Sequence, residues 1–509
     1  MGAPLDGEAE PAIGAGLNEL VLAAVQANIP SRTARVQTAV MAEQLVQAEA
    51  AFDMLFTANG QVSRQDQPAV SVVTPSGPID FTGNGTDVAA FGAGVQQLLS
   101  TGGTWSLSTE ATRTKKLPLD SFTPNPSWQS TVTLGLDQPL LRGFGPDVAL
   151  AQVKLAQNAS TQSQLEFRKS LLDLVKRVEE TYWRLASARQ RVAAAQWLLA
   201  EGVSVRDLLE KRRGIDATDA DHAEAVSVVE QRAADLVRAR LDANVLTDQL
   251  KLMVESPAFP ISDGCRIVPT DPPVREAVVV GLRESIVSAL ERNPAVLQSL
   301  LKVDAGDIQL TVAENGTLPQ LDLSAEVALQ GLDGGLGSSY QEVADADFVN
   351  WLVGATLAQP IGNRGPESQY RESRLQRAQA ALGYRRAVDQ AVTDIRMAMR
   401  QVSAGEELVG RTTTLRLAAA ESMRALASYE ENLAELSPEF LQLKFQRQQS
   451  MASAHMQAYN ARVDLEVALA SLRTAMGTGL DSYGITVESG PGPLGDVDPG
   501  LAPILTVQD

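Results

Sequence analysis

The chain has 509 residues, with 43 Lys and Arg against 62 Asp and Glu, a formal net charge of −19. That balance argues against nucleic acid as a partner, because phosphate binding needs a basic face. A single cysteine, Cys265, and two histidines, His222 and His455, exclude an internal disulfide, a cysteine metal cluster and a His-rich metal site, so no metal or cofactor is expected.

The amino terminus, MGAPLDGEAEP, lacks the basic and apolar regions of a signal peptide, which leaves open a removed leader, a misplaced start and a cytoplasmic protein. No stretch is apolar for long enough to read as a membrane-spanning helix. Residues 1–16 are expected to be disordered. A helix is expected over 17–52, with Pro30 near its start. Strands are expected within 55–142, where residues 76–129, rich in Gly, Pro, Ser, Thr and Asn, suit long extracellular loops. Inside them TWSLSTEATRT (104–114) alternates after STGG and suggests an additional hairpin over 95–114. STVTLGLDQP (130–139) then places Val132, Leu134 and Leu136 on one face, the period-two signature of a strand.

LDQPLLRGFGPD (136–147) ends that strand and opens a long helix over 147–212. Pro146 suits the first helical turn, and Asp147 complements the positive end of the helix dipole. Leu171, Leu174, Val178, Tyr182, Leu185, Ala188, Val192, Ala195 and Leu199 recur at three- and four-residue steps, a stripe of coiled-coil type. Trp183 and Trp197 on this helix are expected to be packing residues. RRGIDATDADHAEA (212–225) breaks the helix near Gly214. Asp219 is a candidate N-cap for a return helix over 220–254. A linker, 257–280, carries Cys265.

The second half repeats the plan. A helix over 281–315 opens with ALERNP, whose Asn293-Pro294 matches Asn28-Ile29-Pro30. Strands within 319–361 include LDLSAEVALQG (321–331) and WLVGATLAQP (351–360), and LAQPIGNRGPES (357–368) echoes the earlier junction. The Gln138-Pro139 and Gly145-Pro146 pairs thus return as Gln359-Pro360 and Gly365-Pro366. A long helix is expected over 367–431, with Leu375 matching Leu155 and Ile395 matching Val175. EENLAELSPEFLQL (430–443) breaks it near Asn432, with Ser437 as N-cap and Pro438 opening a return helix over 438–476. The tail, 477–509, is expected to be disordered. Residues 17–256 and 281–476 are therefore two structural repeats. Two helices of the shorter kind laid end to end would span one long helix, about 100 Å.

Alternation alone leaves two settings open, a soluble core and a membrane barrel with lipid on one side. Few strands and very long helices cannot enclose themselves, which favours closure through other copies.

In these features the chain resembles the TolC family of outer-membrane efflux proteins. The resemblance rests on the duplicated helix–strand–strand–helix–helix order, the two Gln-Pro junctions, the two tips and the ALERNP opening. It implies a mainly α fold with β structure: a homotrimer whose outer-membrane β-barrel continues into a long periplasmic α-helical barrel. It also implies four strands per protomer, twelve in the trimer. The function it implies is an exit duct for a tripartite efflux pump or a type I secretion system, meeting outer-membrane lipid, a periplasmic adaptor and an inner-membrane transporter. Adaptor contact falls on the tip residues Gly214, Ile215, Asn432 and Leu433, although the family's valine is replaced by Arg213 and Glu431. Acids ringing a closed aperture fall on Glu439 and its repeat mate Asp221, where the competing reading is a carboxylate that suits the helix dipole. The family's next acid falls at Gln442 and its arginine lock at Ala434. The rival readings are a soluble periplasmic coiled-coil adaptor or scaffold and an enzyme. The second is disfavoured because no GxSxG elbow, Cys/His pair or phosphate loop occurs.

Overall fold

A computed structural model describes residues 12–68, 70–75, 77–81, 85–117, 124–212, 218–262, 264–273, 281–430, 438–487 and 505–507. It divides into two compact units. One comprises residues 1–40, 161–300 and 383–509, the other 41–160 and 301–382.

The second unit holds the sheet. Its strands are β2 (Leu55–Asp66), β5 (Gly85–Leu98), β6 (Thr104–Leu117), β7 (Ser127–Pro139), β9 (Gln320–Asp333) and β10 (Phe348–Ala358). They pair antiparallel throughout, in the order β10-β9-β7-β6-β5-β2. The expectation of long loops over 76–129 is corrected here, since β5 and β6 occupy much of that stretch. Their composition is rich in Gly, Ser and Thr, yet their side chains alternate. The backbone ladders to β2 and β7 outweigh the low intrinsic propensity of the glycines. A small hairpin of β3 (Val70–Thr74) and β4 (Gly77–Phe81) sits between β2 and β5 in sequence. Between β9 and β10 lies a helix that the sequence did not announce, α8 (Leu336–Asp345). It packs on β7 and β9, with Ser339 bonded to Ser130 at 2.7 Å and Tyr340 to Thr109 of β6 at 2.8 Å.

The first unit is helical. The expected helix 17–52 is instead two, α1 (Leu17–Ala27) and α2 (Ile29–Glu49), followed by a 3-10 turn over Ala50–Phe52. The expected helix 281–315 is likewise α6 (Leu282–Arg292) and α7 (Pro294–Asn315). Proline lacks an N–H and disrupts the preceding turn, so Pro30 and Pro294 break each run beside an asparagine. That asparagine then acts as a connector. Asn28 Nδ2 donates to Met253 O (3.1 Å) in the last turn of the return helix α5 (Asp219–Val254). Asn293 Nδ2 donates to Ala475 O (3.0 Å) in the last turn of α10 (Pro438–Met476). Terminal carbonyls that lack a partner within their own helix are thereby satisfied at both joints by the same device.

Two elements are longer than any other. The first begins as a single turn, α3 (Pro146–Ala149), and resumes after Leu150 as α4 (Ala151–Arg212). The second, α9 (Arg364–Glu430), starts earlier than 367, which puts Pro366 in the first turn, where its missing N–H costs nothing. On α4, Leu171, Leu174, Val178, Tyr182, Leu185 and Ala188 are buried, whereas Val192, Ala195 and Leu199 are half-buried and Trp197 is exposed. On α9 the corresponding buried residues are Ala391, Ile395, Ala398, Val402 and Gly405.

Residues 12–16, 477–487 and 505–507, expected to be disordered, carry defined backbone structure. β1 (Ala12–Ala15) pairs parallel with β8 (Arg266–Pro269) of the linker. After α10, a 3-10 turn (Asp481–Tyr483) leads to β11 (Ile485–Val487), which pairs antiparallel with β12 (Leu505–Val507). The core beneath them joins Leu20, Val21 and Ala24 of α1, Phe167 to Ala186 of α4, Leu250 and Val254 of α5, Ile267 of β8, and Leu480 and Ile485. Cys265 is buried beside β8.

Candidate functional site

Cross-strand partners point to one face, so the register sorts every side chain of the sheet. One face carries Phe56, Ala58 and Val62 of β2, Phe91 and Val95 of β5, and Leu107 of β6. It continues through Val132, Leu134 and Leu136 of β7, Leu321 to Leu329 of β9 at alternate positions, and Val349, Trp351, Val353 and Leu357 of β10. This apolar face ends at one rim in charges, among them Arg64, Asp66, Asp87, Arg113 and Asp333, where Arg64 pairs with Asp66 and Asp87. The other face carries Thr57, Asn59, Gln61 and Ser63, then Gln96, Ser106, Ser108 and Glu110, then Thr131, Thr133 and Asp137, then Asp322, Ser324 and Glu326. In the protomer the apolar face is largely bare: Val62 is 80 % exposed and Trp351 74 %. α8 covers only its upper part, over Ala111 and Ser130.

The two strand-to-helix junctions are built differently. At the first, Gln138 and Pro139 close β7. Gln138 Oε1 accepts from Thr101 Oγ1 (2.9 Å), and Gln138 Nε2 donates to Thr101 O (3.2 Å). Gly145 N also donates to Thr101 O (3.0 Å), so the turn between β5 and β6 is tied to residues on both sides of the bend. Gly102 of that turn has φ +87 and lies so close to Gly143 O that a Cβ would clash. Asn315 completes the bend, accepting from Gly143 N (2.7 Å) and donating to Leu141 O (3.2 Å). Pro146 then occupies the first position of α3. At the second junction, Gln359 and Pro360 lie beyond the end of β10 and are exposed. The turn is held by Asn363 Nδ2 donating to Thr317 O (2.8 Å), and Gly365 lies inside α9 where a Cβ would meet nothing within 4 Å.

Gly214, Ile215, Asn432 and Leu433 lie outside the described residues. Asp221 is described and serves as the third residue of a capping box. Its carboxylate accepts from Thr218 N (3.0 Å), and Asp221 N donates to Thr218 Oγ1 (3.2 Å). Thr218, rather than Asp219, is therefore the N-cap, because its hydroxyl reaches the third helical N–H. Glu439 is exposed in the first turn of α10.

Arg232 of α5 is buried. It donates to Leu198 O of α4 (2.6 Å) and to Gln448 Oε1 of α10 (3.0 Å), and it stacks on the Phe445 ring. Gln448 passes the link to Glu201 (3.2 Å). Burial pushes the Arg232 pKa down, opposed by Glu201. Nearer β1, Tyr182 Oη donates to Asp271 Oδ2 (2.8 Å) and accepts from Thr270 N and Asp271 N, while Asp271 Oδ2 also accepts from Leu17 N. Burial raises the Tyr182 pKa to about 12. Glu179, buried on α4, accepts from Arg473 (2.7 Å), and burial raises its pKa more than Arg473 lowers it. Sequence reasoning missed these ties. An isolated Arg, Tyr or Gln in a helical run carries no signal of the partner it will meet. Among the described residues no group of His, Cys, Asp and Glu could hold a metal, and no helix is long and apolar enough to cross a membrane.

No family model matches the chain. It is 24 % identical over 373 residues to outer membrane protein OprJ of Pseudomonas aeruginosa, covering 69 % of this chain and 70 % of that protein. Among solved structures it is similar to a membrane protein from Pseudomonas aeruginosa, with TM-score 0.63, 18 % identity and 93 % of each chain covered. It is also similar to the Campylobacter jejuni CmeC outer membrane channel, with TM-score 0.64, 15 % identity, and 91 % of this chain and 86 % of that one covered. The chain has the fold of these outer-membrane proteins.

Proposed function

We propose that the chain is one protomer of a passive outer-membrane exit duct, a homotrimer serving a tripartite efflux pump or a type I secretion system. The observation that carries this reading is the six-stranded sheet, with an apolar band on one face, a mostly polar opposite face that also holds Leu55, Val88, Leu332, Phe348 and Leu352, and edges β2 and β10 each paired on one side only. Open strand edges are not tolerated in lipid, so such a sheet must close through further copies. From Leu321 to Leu329 the band runs about 26 Å along the strand, or about 20 Å of height at a tilt near 40°, which approaches the lipid-facing zone of a barrel. The polar face would then line water.

The helices support the same assembly. α9 leaves Leu375 and Leu382, and again Leu408 and Leu415, exposed at heptad spacing, a seam that a neighbouring copy would cover. Similarity to OprJ and CmeC favours this reading over a soluble adaptor. In it, Gly214, Ile215, Asn432 and Leu433 meet a periplasmic adaptor that connects to an inner-membrane transporter. Glu439 is the candidate acid at the aperture, where a ring of copies would favour cations, and Asp221 is committed to its helix cap. Cell fractionation tests the reading: the full chain should enter the outer membrane, need detergent for extraction, and conduct ions in planar bilayers. A monomer soluble without detergent would overturn it.

A further inference from the structure

The hairpin of β5 and β6 is present in the first half and has no counterpart between β9 and β10. It is paired along most of its length, β5 with β2 over Gly85–Gln96 and β6 with β7 over Thr104–Thr114. Its alternation is in phase with the rest of the sheet: Phe91, Val95 and Leu107 fall on the apolar face, and Gln96, Ser106, Ser108 and Glu110 on the polar one. Its lower turn is bonded into the first strand-to-helix junction through Thr101, Gln138 and Gly145.

Strand ends across the sheet also form a regular stagger. Leu55, the first residue of β2, is level with Gln96, then Ser106, Gly135, Glu326 and finally Leu352. Leu352 lies six residues short of Ala358, the lower end of β10. With the lower ends in one plane, six residues of ~3.3 Å over the five gaps of ~4.8 Å between these strands correspond to a tilt of about 40°, within the range that closed barrels adopt.

We propose that this hairpin is barrel wall, and that three copies of the chain close an eighteen-stranded barrel in which β2 of each copy pairs antiparallel with β10 of the next. The proposal rests on the exit-duct reading and adds to it the strand number and the seam. The two edges fit. β2 runs towards the charged rim and β10 away from it, so adjacent copies meet antiparallel, and their lengths are 12 and 11 residues. Setting Leu55 against Ala358 keeps the apolar band of Phe56, Ala58 and Val62 beside Leu357, Ala355 and Trp351 on one face, and places Thr57, Asn59, Gln61 and Ser63 on the other with Thr356, Asn350 and the apolar Leu352 and Phe348. A two-residue slip preserves this, and a one-residue slip destroys it. Barrel diameter grows roughly linearly with strand number, so the wall is about half again as wide as a twelve-stranded one. A strand count of this size leaves an aqueous channel rather than a side-chain-filled core.

The test uses single cysteines in a Cys265→Ala background, in outer-membrane vesicles, with a water-soluble maleimide. Leu107→Cys and Ser108→Cys report on the hairpin, and Leu323→Cys and Ser324→Cys report on β9 as a control. Ser108→Cys and Ser324→Cys should react at least about tenfold faster than their lipid-facing neighbours. Alternation in β9 without alternation in β6 would remove the hairpin from the wall while leaving the duct intact. Loss of alternation in both would overturn the wall and the duct together. For the seam, Ser63→Cys with Asn350→Cys should give covalent trimers on oxidation. No cross-link there, nor from Gln61→Cys or Gln65→Cys with Asn350→Cys, would overturn the seam. Imaging of the extracted assembly decides the number: eighteen strands supports the proposal, and twelve with residues 85–117 outside the wall overturns it.

Discussion

α4 keeps Leu171, Val175, Val178, Tyr182 and Leu185 buried under its own chain, and at the matching positions α9 buries Ala391, Ile395, Ala398, Val402 and Gly405. The same stripe is covered in both halves, mostly with smaller side chains in the second. Gly405 shows the consequence: a Cβ there would press on Leu465 of α10, so the two backbones lie close. Beyond that stripe α9 leaves its larger apolar residues bare, Leu375 at 72 % and Leu382 at 68 % exposure. The junctions differ in the same direction, since the first is braced by the β5–β6 turn and the second is open. One plan of elements thus supports two environments, one largely covered by the chain itself and one that leaves large apolar side chains exposed.

The largest expected effect lies at the first junction. Gly102→Val would need a Cβ where Gly143 O sits, in a backbone region that valine rarely adopts, and it should abolish assembly as read by detergent-resistant trimers. Gly362→Val at the second junction meets nothing within 4 Å, so it should cost only the backbone strain, about 1–2 kcal/mol, and still assemble. If the two variants behave alike, the contrast between the junctions is wrong. Next come the helix stripes. Leu185→Ala should cost about 2–5 kcal/mol through a cavity, whereas Gly405→Leu should cost about 1–3 kcal/mol through overpacking. Thermal unfolding followed by circular dichroism measures both.

A smaller and equal effect is expected at the two helix joints. Asn28→Ala and Asn293→Ala each remove a hydrogen bond to a helix-terminal carbonyl and the acceptor for a backbone N–H that opens the next helix, Ser31 N or Ala295 N, and should each cost about 1–2 kcal/mol and lower the unfolding temperature by similar amounts. Unequal losses would show that the joints are not one repeated device. The smallest effect is a slope. Glu179 has its pKa raised by burial in the fold, so its contribution to stability is fully present below the ordinary Glu range and is lost as pH rises through the raised value. Stability of the native chain relative to Glu179→Gln should therefore increase as pH falls from 7 towards the ordinary Glu range. The matching position in α9 is Met399, which can supply no such slope.

Much of this was legible in residues. Pro146, Pro438 and the three- and four-residue steps of Leu171 to Leu185 announced helices, because backbone geometry and the helical period are local properties. The alternation of LDLSAEVALQG announced β9 for the same reason. Asn28 and Asn293 were visible as a matched pair, but not as connectors, since their partners Met253 and Ala475 are distant in the chain. Within residues 85–117, the alternation of TWSLSTEATRT announced β6 as part of a hairpin, whereas residues 85–94, GTDVAAFGAG, read as loop because Gly, Ala and Asp carry little strand propensity of their own.

By itself the sequence determined the order of elements, the duplication, the two faces of the strands and the helix starts, all written in spacing over a few residues. Only the tertiary structure decided that the additional hairpin joins the sheet, that α8 lies across it, and that Arg232, Tyr182 and Glu179 find buried partners. Those outcomes depend on which distant backbone supplies the next strand or the next acceptor, and no local pattern encodes that choice.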